Sequence, residues 1–245
     1  SAAQARAFKG QVDALFHLAA VYDLAADKAS QVRVNVQGTR HLVAFANAIQ
    51  AGHLHHVSSI AAAGLYDGVF HEDMFDEARG LAHPYFMTKH ESEKIVRQES
   101  VVPWTVYRPA LVVGDSKTGE IDKIDGPYYF FKLIQRTRQW LPPWMPSVGV
   151  EGGRINIVPV DYVVDCIAHL SREQGLHAGQ CFHIVDPHGY RVGEVLDLFA
   201  KTAHAPKMNV FINAALLGFI PPTVQKGLMA LAPMRRLRHA VMKDL

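Results

Sequence analysis

Cysteine is scarce in this sequence: Cys166 and Cys181 are the only two among 245 residues. They form neither a metal-ligand spacing nor a disulfide framework, and a reducing, cytoplasmic setting is expected. An excess of one charge is lacking too. Twenty-five Lys and Arg stand against 23 Asp and Glu, a formal charge of +2. With no basic stripe interleaved with aromatics, nucleic acid is excluded as an expected partner. Long apolar runs are also missing. The longest, VFINAALLGFI from Val210 to Ile220, stops at Pro221 and Pro222, short of the roughly 20 residues that a spanning helix needs. The first residues carry no secretory signal pattern, and neither internal repeats nor low-complexity tracts occur.

What is present is an ordinary globular composition, 49% hydrophobic, at a length that suits one large domain with a substantial core. DALFHLAA, Asp13 to Ala20, reads as a short buried strand. SQVRVNVQGTRHLVAFANAIQAG follows as a helix, with Val32, Val36, Val43, Ala46 and Ile49 at helical intervals and Gly52 as its expected stop. HLHHVSS is a second strand. After a glycine-containing loop, a helix begins near Pro84, where the missing N–H of proline has no partner to lose. WTVYRPALVVG (Trp104 to Gly114) and RINIVPV (Arg154 to Val160) are further strands. The second leads through Asp161, the expected cap, into YVVDCIAHL, whose Val163, Val164, Ile167 and Leu170 mark one face. QCFHIVD and VGEVLDLFAKTA add another strand and helix.

Strands alternating with helices predict a parallel sheet covered on both faces. An irregular insertion rich in Pro, Trp, Tyr and Phe separates Gly114 from Arg154. A sheet of this kind that binds a dinucleotide opens with a strand, a glycine-rich turn and a helix N-terminus for the pyrophosphate. Neither G-x-x-G-x-x-G nor G-x-G-x-x-G occurs. The nearest stretch, GVEGGR from Gly149, precedes a strand instead of following one.

PYFMTKHESE, Pro84 to Glu93, sets Tyr85 and Lys89 four residues apart, on one helix face and one turn apart. YYFFK repeats that spacing at Tyr128 and Lys132. The spacing alone fits a solvated helix face as well as a proton-transfer device. The surrounding motifs separate the two copies. DALFHLAAVYD, NVQGTRHLV, HHVSSIAAAG, PYFMTKHESE, VYRPALVVG and NIVPVDYVVDCI resemble, in order and spacing, the extended short-chain dehydrogenase/reductases. More narrowly, SSIAAAGLYDGVFHEDMF, GEIDKIDGPYYFFKLIQ and EGGRINIVPVDYVVD are similar to the bacterial fatty acyl-CoA and fatty aldehyde reductases. The resemblance covers nearly the whole sequence.

The resemblance implies an α/β, Rossmann-like, doubly wound parallel sheet with a small C-terminal substrate-binding region. The family opens with three strands and the glycine-rich turn, and this sequence starts just before the fourth. The expectation is therefore a fold truncated in its N-terminal half. Within it, residues 1–114 would be the rest of the dinucleotide-binding domain and 115–153 an aromatic-rich substrate insertion. Residues 154–204 would hold the last strands and helices, and 205–245 an apolar and basic helical tail.

Carbonyl reduction needs a proton donor beside the oxygen that becomes negative. Tyrosine has the proton, but its ordinary pKa near 10 makes transfer slow at neutral pH. A lysine one turn on favours the phenolate and lowers that pKa. The resemblance implies that Tyr85 is the donor and that Lys89 both tunes it and bonds the nicotinamide ribose. Ser59, rather than its neighbour Ser58, would hold the carbonyl oxygen, and Asn35 would support a water relay or the helix bend behind the lysine. Ala19 and Ala20 would lie beside the cofactor, small enough for the dinucleotide to approach, and Pro109 would present backbone to the nicotinamide. NADPH is the expected cofactor by resemblance, with NAD not excluded by any residue present.

No strand-ending serine precedes Tyr128 and Lys132 at the right distance, so that copy is set aside as a catalytic pair. Tyr128, Phe130, Phe131 and Trp140 are expected either to pack the insertion or to wall an acyl chain. His53, His55 and His56 share no carboxylate or cysteine spacing and read as structural. Lys226, Arg235, Arg236, Arg238 and Lys243, interleaved with apolar residues, fit docking against another domain, such as a second reductase domain downstream. They also fit peripheral contact with an anionic membrane. The expected activity is reduction of a long-chain acyl-CoA or aldehyde toward the alcohol. A sugar-nucleotide epimerase or dehydratase of the same superfamily, or a non-catalytic dinucleotide-sensing module, are the alternatives.

Overall fold

The structure is a computed structural model that describes residues 2–22, 26–121, 128, 131, 134–135, 138–139, 147–151, 153–173, 175–206 and 208–213. The chain divides into two compact units, Ser1–Glu120 with Ile157–Asp186, and Ile121–Asn156 with Pro187–Leu245.

The first unit is built on four parallel strands in the order β1 (Leu15–His17), β2 (Leu54–Val57), β3 (Trp104–Pro109) and β8 (Gln180–Ile184). Side chains alternate across this sheet, so its two faces bury different sets. On one face Leu54, Val106 and Cys181 meet Val43, Ala46 and Ile49 of α3 (Gly38–Ile49) and Ile95 and Val96 of α4 (Pro84–Glu99). On the other, Tyr107 and Ile184 meet Val163 of α5 (Val160–Arg172), with Ile167 and Leu170 partly buried against them. The expected covering of both faces is what forms. A shorter parallel pair joins β4 (Leu111–Val113) to β7 (Ile157–Pro159), and α1 (Ala2–Ala7) precedes β1.

The long helix expected after β1 is three pieces. α2 (Lys28–Gln31), capped by Asp27 accepting from the Ser30 N–H, runs into a π-helical turn at Val32–Gln37 and then into α3. The wider turn is visible at Gly38, whose N–H donates to Arg33 O, five residues back. Gly52 is not the helix stop. Gln50 takes the left-handed conformation that ends α3 (φ 54°), while Gly52 lies against Asp13, where a Cβ would come within 2.5 Å of the Asp13 carbonyl oxygen. Asp161 is likewise not the cap of α5 but sits in its first turn, where it accepts from the Ser116 N–H and hydroxyl.

In the second unit, β5 (Ser147–Glu151) pairs in parallel with β10 (Met208–Asn213), and β6 (Arg154–Ile155) pairs antiparallel with β9 (Tyr190–Arg191). α6 (Val192–Thr202) contributes Ala200 to a cluster with Ile134 and Ala205. Met208–Asn213 is a strand where the sequence suggests a helical tail; the extended, branched stretch around Val210 and Ile212 finds a neighbouring strand instead. The basic residues beyond it lie outside the described residues. Among the described residues, no helix is long and apolar enough to cross a membrane.

Candidate active site

Tyr85 stands in the first turn of α4, where His83 Nδ1 accepts from the Tyr85 backbone N–H at 3.2 Å and Pro84 takes the first helical position. From there a buried stripe of Thr88, Lys89, Ser92, Glu93, Ile95 and Val96 runs down the helix. Tyr85 is half-buried at its mouth, Lys89 is 6% exposed, and Glu93 is fully buried. Lys89 Nζ donates to two backbone carbonyls at the end of β2, Val57 at 3.5 Å and Ser58 at 3.4 Å. Burial pushes the Lys89 pKa down to about 8, against the opposing pull of the Glu93 carboxylate.

The two serines at that strand end have different surroundings. Ser58 is buried, and its hydroxyl donates to Glu93 Oε2 at 2.8 Å. Ser59 is half-buried, and its Oγ accepts from the Ala61 N–H at 3.1 Å, capping the 3₁₀ turn Ile60–Ala63. That bond uses an oxygen lone pair and leaves the Ser59 hydroxyl hydrogen for another acceptor. The turn is fixed to α4 by His90, whose Nδ1 lies 3.0 Å from Ala62 O and whose ring stacks on Phe75 at 4.2 Å.

Asn35 sits in the π-helical turn, 2% exposed. Its side-chain amide clasps Val21 like a neighbouring strand, accepting from the N–H at 2.7 Å and donating to the carbonyl at 2.9 Å. Its Nδ2 also donates to Thr88 Oγ1 at 3.2 Å. Asn35 therefore joins the segment of Ala19, Ala20 and Val21 to α4 between Tyr85 and Lys89. Ala19 is exposed and Ala20 half-buried directly after β1, and Pro109 is buried at the end of β3 opposite Ile184.

Several residues of this neighbourhood escape sequence reasoning. Glu93 receives Arg108 at 2.7 and 3.1 Å and Arg97 at 2.8 Å, besides Ser58. Burial alone would raise the Glu93 carboxyl; the hydrogen bond and charge of Arg108, with Arg97 and Ser58, outweigh it and hold the pKa below its usual value. Arg108 is itself fully buried and also donates to Met74 O at 3.0 Å. An arginine inside the apolar run WTVYRPALVV was the available signal, since such a charge demands a buried partner. His17 and His56 face one another across β1 and β2, ring centroids 5.1 Å apart. Thr39 gives its hydroxyl proton to Asn35 O at 2.6 Å, so His17 Nε2–H must be the donor in the 2.8 Å contact with Thr39 Oγ1.

The other histidines of HLHH bond protein groups: His53 lies 2.8 Å from Thr105 Oγ1 and His55 2.9 Å from Tyr107 Oη. In the second unit, Phe131 meets Tyr128 edge-on at 5.1 Å and Phe199 at 4.9 Å. Phe130 and Trp140 lie outside the described residues. Ser59, Tyr85, Lys89 and Asn35 are all in the first unit.

A parallel sheet flanked by helices on both faces, with Tyr and Lys on a helix beside a strand-ending serine, defines a Rossmann-fold domain of the extended short-chain dehydrogenase/reductase class. The chain belongs to an NAD-binding family within it, that of the Male sterility protein, whose family model matches residues 1–167. Among curated relatives it is 29% identical over 188 residues to the non-canonical nonribosomal peptide synthetase hkm10 of Aspergillus hancockii, covering 71% of this chain and 17% of that protein. It is 28% identical over 186 residues to the aldehyde reductase lnbA of Aspergillus flavus, covering 71% and 18%. The chain thus spans less than a fifth of either relative. Among solved structures, the terminal R domain from the myxalamid PKS-NRPS biosynthetic pathway superposes with a TM-score of 0.68 at 22% identity, over all of this chain and 60% of that one. RMD from Pseudomonas aeruginosa complexed with NADPH does so at 0.63 and 19% identity, over 82% and 69%. These superpositions speak for the fold.

Proposed function

We propose that this chain is the catalytic part of a reductase that converts an acyl thioester or aldehyde, with a long hydrocarbon chain as the preferred substrate, toward the alcohol. The observation that carries the reading is Lys89. It is a buried ammonium one turn beyond Tyr85, held at the β2 end where Ser59 begins a turn, with its pKa drawn down to about 8. The name of one relative, an aldehyde reductase, supports carbonyl reduction.

The residues fit a nicotinamide dinucleotide. Lys89 contacts its two carbonyls only at 3.4 and 3.5 Å and keeps further donor capacity, and the segment after β1 that Asn35 clasps carries nothing larger than methyl side chains at Ala19 and Ala20. Ala19, Ala20, Lys89 and Pro109 would hold its nicotinamide–ribose end. NADPH, when bound, supplies the hydride. Ser59 donates a hydrogen bond to the carbonyl oxygen and keeps it beside Tyr85. As the carbonyl carbon is reduced, Tyr85 Oη gives its proton to that oxygen and the phenolate left behind is stabilised by the Lys89 charge. With a thioester, the C–S bond of the reduced adduct then breaks, the new hydroxyl's proton leaving with the sulfur as thiol, and the aldehyde would pass through the same steps with a second NADPH once Tyr85 has taken a proton from solvent.

The test is NADPH oxidation by the full-length protein with decanal, decanoyl-CoA and a carrier-linked decanoyl thioester. Consumption with at least one of the three is expected, and Tyr85→Phe should lower kcat by about 10²- to 10⁴-fold. If none of the three is reduced, or if Tyr85→Phe leaves the rate unchanged, the proposal is wrong. The ratio of the CoA to the carrier-linked rate identifies the acyl donor.

A further inference from the structure

The stripe that starts at Tyr85 does not end at Lys89. One turn deeper on the same helix is Glu93, 0% exposed, and three groups from three elements converge on it. Ser58 reaches it from the end of β2 at 2.8 Å, Arg108 from β3 at 2.7 and 3.1 Å, and Arg97 from the next turn of α4 at 2.8 Å. The carbonyl of the same Ser58 accepts from Lys89. Ser58 is therefore gripped twice by α4, through its hydroxyl by Glu93 and through its carbonyl by Lys89, and the next residue in the chain is Ser59.

We propose that Glu93 is a positioning residue for the reaction, resting on the reductase reading above: through Ser58 it fixes the β2 end, and with it Ser59, against α4, and it is the counter-charge that keeps Lys89 an ammonium. Its placement suits both tasks. A carboxylate one turn from Lys89 favours the charged lysine, and the two guanidiniums on its far side keep the carboxylate ionised in a dry environment. Burial depresses Lys89 and Glu93 offsets part of that. Tyr85 stands one turn back from Lys89 on the same helix, and on the strands the titratable groups among the described residues that interact with Lys89 are His17 on β1 and His56 on β2. Both are held neutral by burial and by their positive neighbours, so near neutral pH they add no competing charge. Around the carboxylate itself lie Cys181 and His183 of β8, and Glu72 of the loop before α4 interacts with these two and with Arg108. Burial raises the Cys181 thiol to about 12, which keeps it neutral.

The experiment follows Lys89 in the full-length protein carrying 13Cε-labelled lysine, with the Lys89 resonance assigned by its absence in Lys89→Arg. Glu93→Gln removes the counter-charge, and the Lys89 midpoint should move to lower pH by about 1 unit or more. Arg97→Gln, at a partly exposed side chain, leaves Glu93 less neutralised, and the midpoint should move the opposite way. Ser58→Ala keeps every charge and cuts only the hydroxyl link; kcat should fall about tenfold with both KM values within about twofold. A Lys89 midpoint indifferent to Arg97→Gln, and to Glu93→Gln where that variant folds, overturns the charge role. An unchanged kcat in Ser58→Ala overturns the positioning role. A wild type that reduces none of the substrates sinks the reductase reading alone, since the lysine titration still reports on Glu93.

Discussion

At the scale of one residue, Lys89 shows how catalytic use and stability pull apart. Its pKa falls from 10.5 to about 8 because burial disfavours the ammonium. Between those values the unfolded chain holds a proton that the folded chain gives up, so stability contributed at this site rises as pH climbs from 8 to 10.5. Below pH 8 the buried charge costs on the order of 3 kcal/mol, reduced by about 1 kcal/mol for its two long hydrogen bonds. Lys89→Met should therefore be more stable than wild type by about 2 kcal/mol at pH 7. That advantage should shrink as pH climbs from 8 to 10.5 and be nearly gone at pH 10.5, where the lysine is neutral in the fold and half neutral in the unfolded chain. Urea unfolding at the two pH values checks this, and a variant less stable than wild type at pH 7 would show that the ammonium is well paired after all. The same residue marks the limit of legibility. Tyr85 and Lys89 could be picked from YYFFK-like noise by motif order, and the choice of Ser59 over Ser58 came from resemblance. What Ser58 does could not be read, because its partner Glu93 and the Arg108 that fixes Glu93 are distant in sequence and meet only when β3 lies beside β2.

At the scale of elements, β1 and β2 carry a layer of histidines where a core would ordinarily be aliphatic. His17, His53 and His56 are all buried. Burial lowers His17 to about 4, with Lys89 adding to the effect, and lowers His53 to about 4, with His55 and His177 adding; His56 lies well below its usual value. A histidine kept neutral in the fold contributes stability that is complete above its unfolded pKa of 6.5 and is lost as pH falls toward the folded value. With several such groups the denaturation midpoint should fall steeply between pH 6.5 and 4. His56→Leu should flatten that slope. It should also stabilise the protein at pH 7, since neither ring nitrogen of His56 has a hydrogen-bond partner among the described residues. Denaturant titrations at pH 7.5, 6 and 5 measure both effects; a slope unchanged by His56→Leu would mean that other groups govern acid unfolding. The sequence marked HLHH as structural but offered no account of it. Strand register decides the matter: pairing His17 with His56 and Phe16 with His55 sends alternate rings to opposite faces, and nothing in a single strand predicts that register. The π-helical turn at Val32–Gln37 was equally hidden, since its valine spacing suits an uninterrupted helix and only Asn35 clasping Val21 shows what the wider turn achieves.

At the scale of the first unit, alternating strand and helix patterns made the parallel sheet legible, while the order of strands came from pairings among distant segments. That order makes a prediction about where stability is greatest. β3 lies between β2 and β8, and Thr105, Val106, Tyr107 and Arg108 are all 0% exposed. Opening it means breaking both ladders and both hydrophobic clusters, so its amides should exchange with solvent only through global unfolding. β1 has β2 as its sole neighbour among the described residues, and the side chain of Phe16 is 43% exposed. The Leu15 N–H, bonded to His53 O at 2.8 Å, should exchange at an intermediate rate. The Phe16 N–H lies between residues whose register points toward β2 and so faces away from it; it should exchange fastest of the sheet amides. Hydrogen exchange read residue by residue on these 245 residues distinguishes the three classes. Tyr107 and Phe16 exchanging at the same slow rate would mean that β1 has a second neighbour and that the strand order is incomplete. Tyr107 exchanging as quickly as Phe16 would mean that the Arg108–Glu93 network does not sit in the most stable part of the fold, and the positioning role argued for it would lose its rigid base.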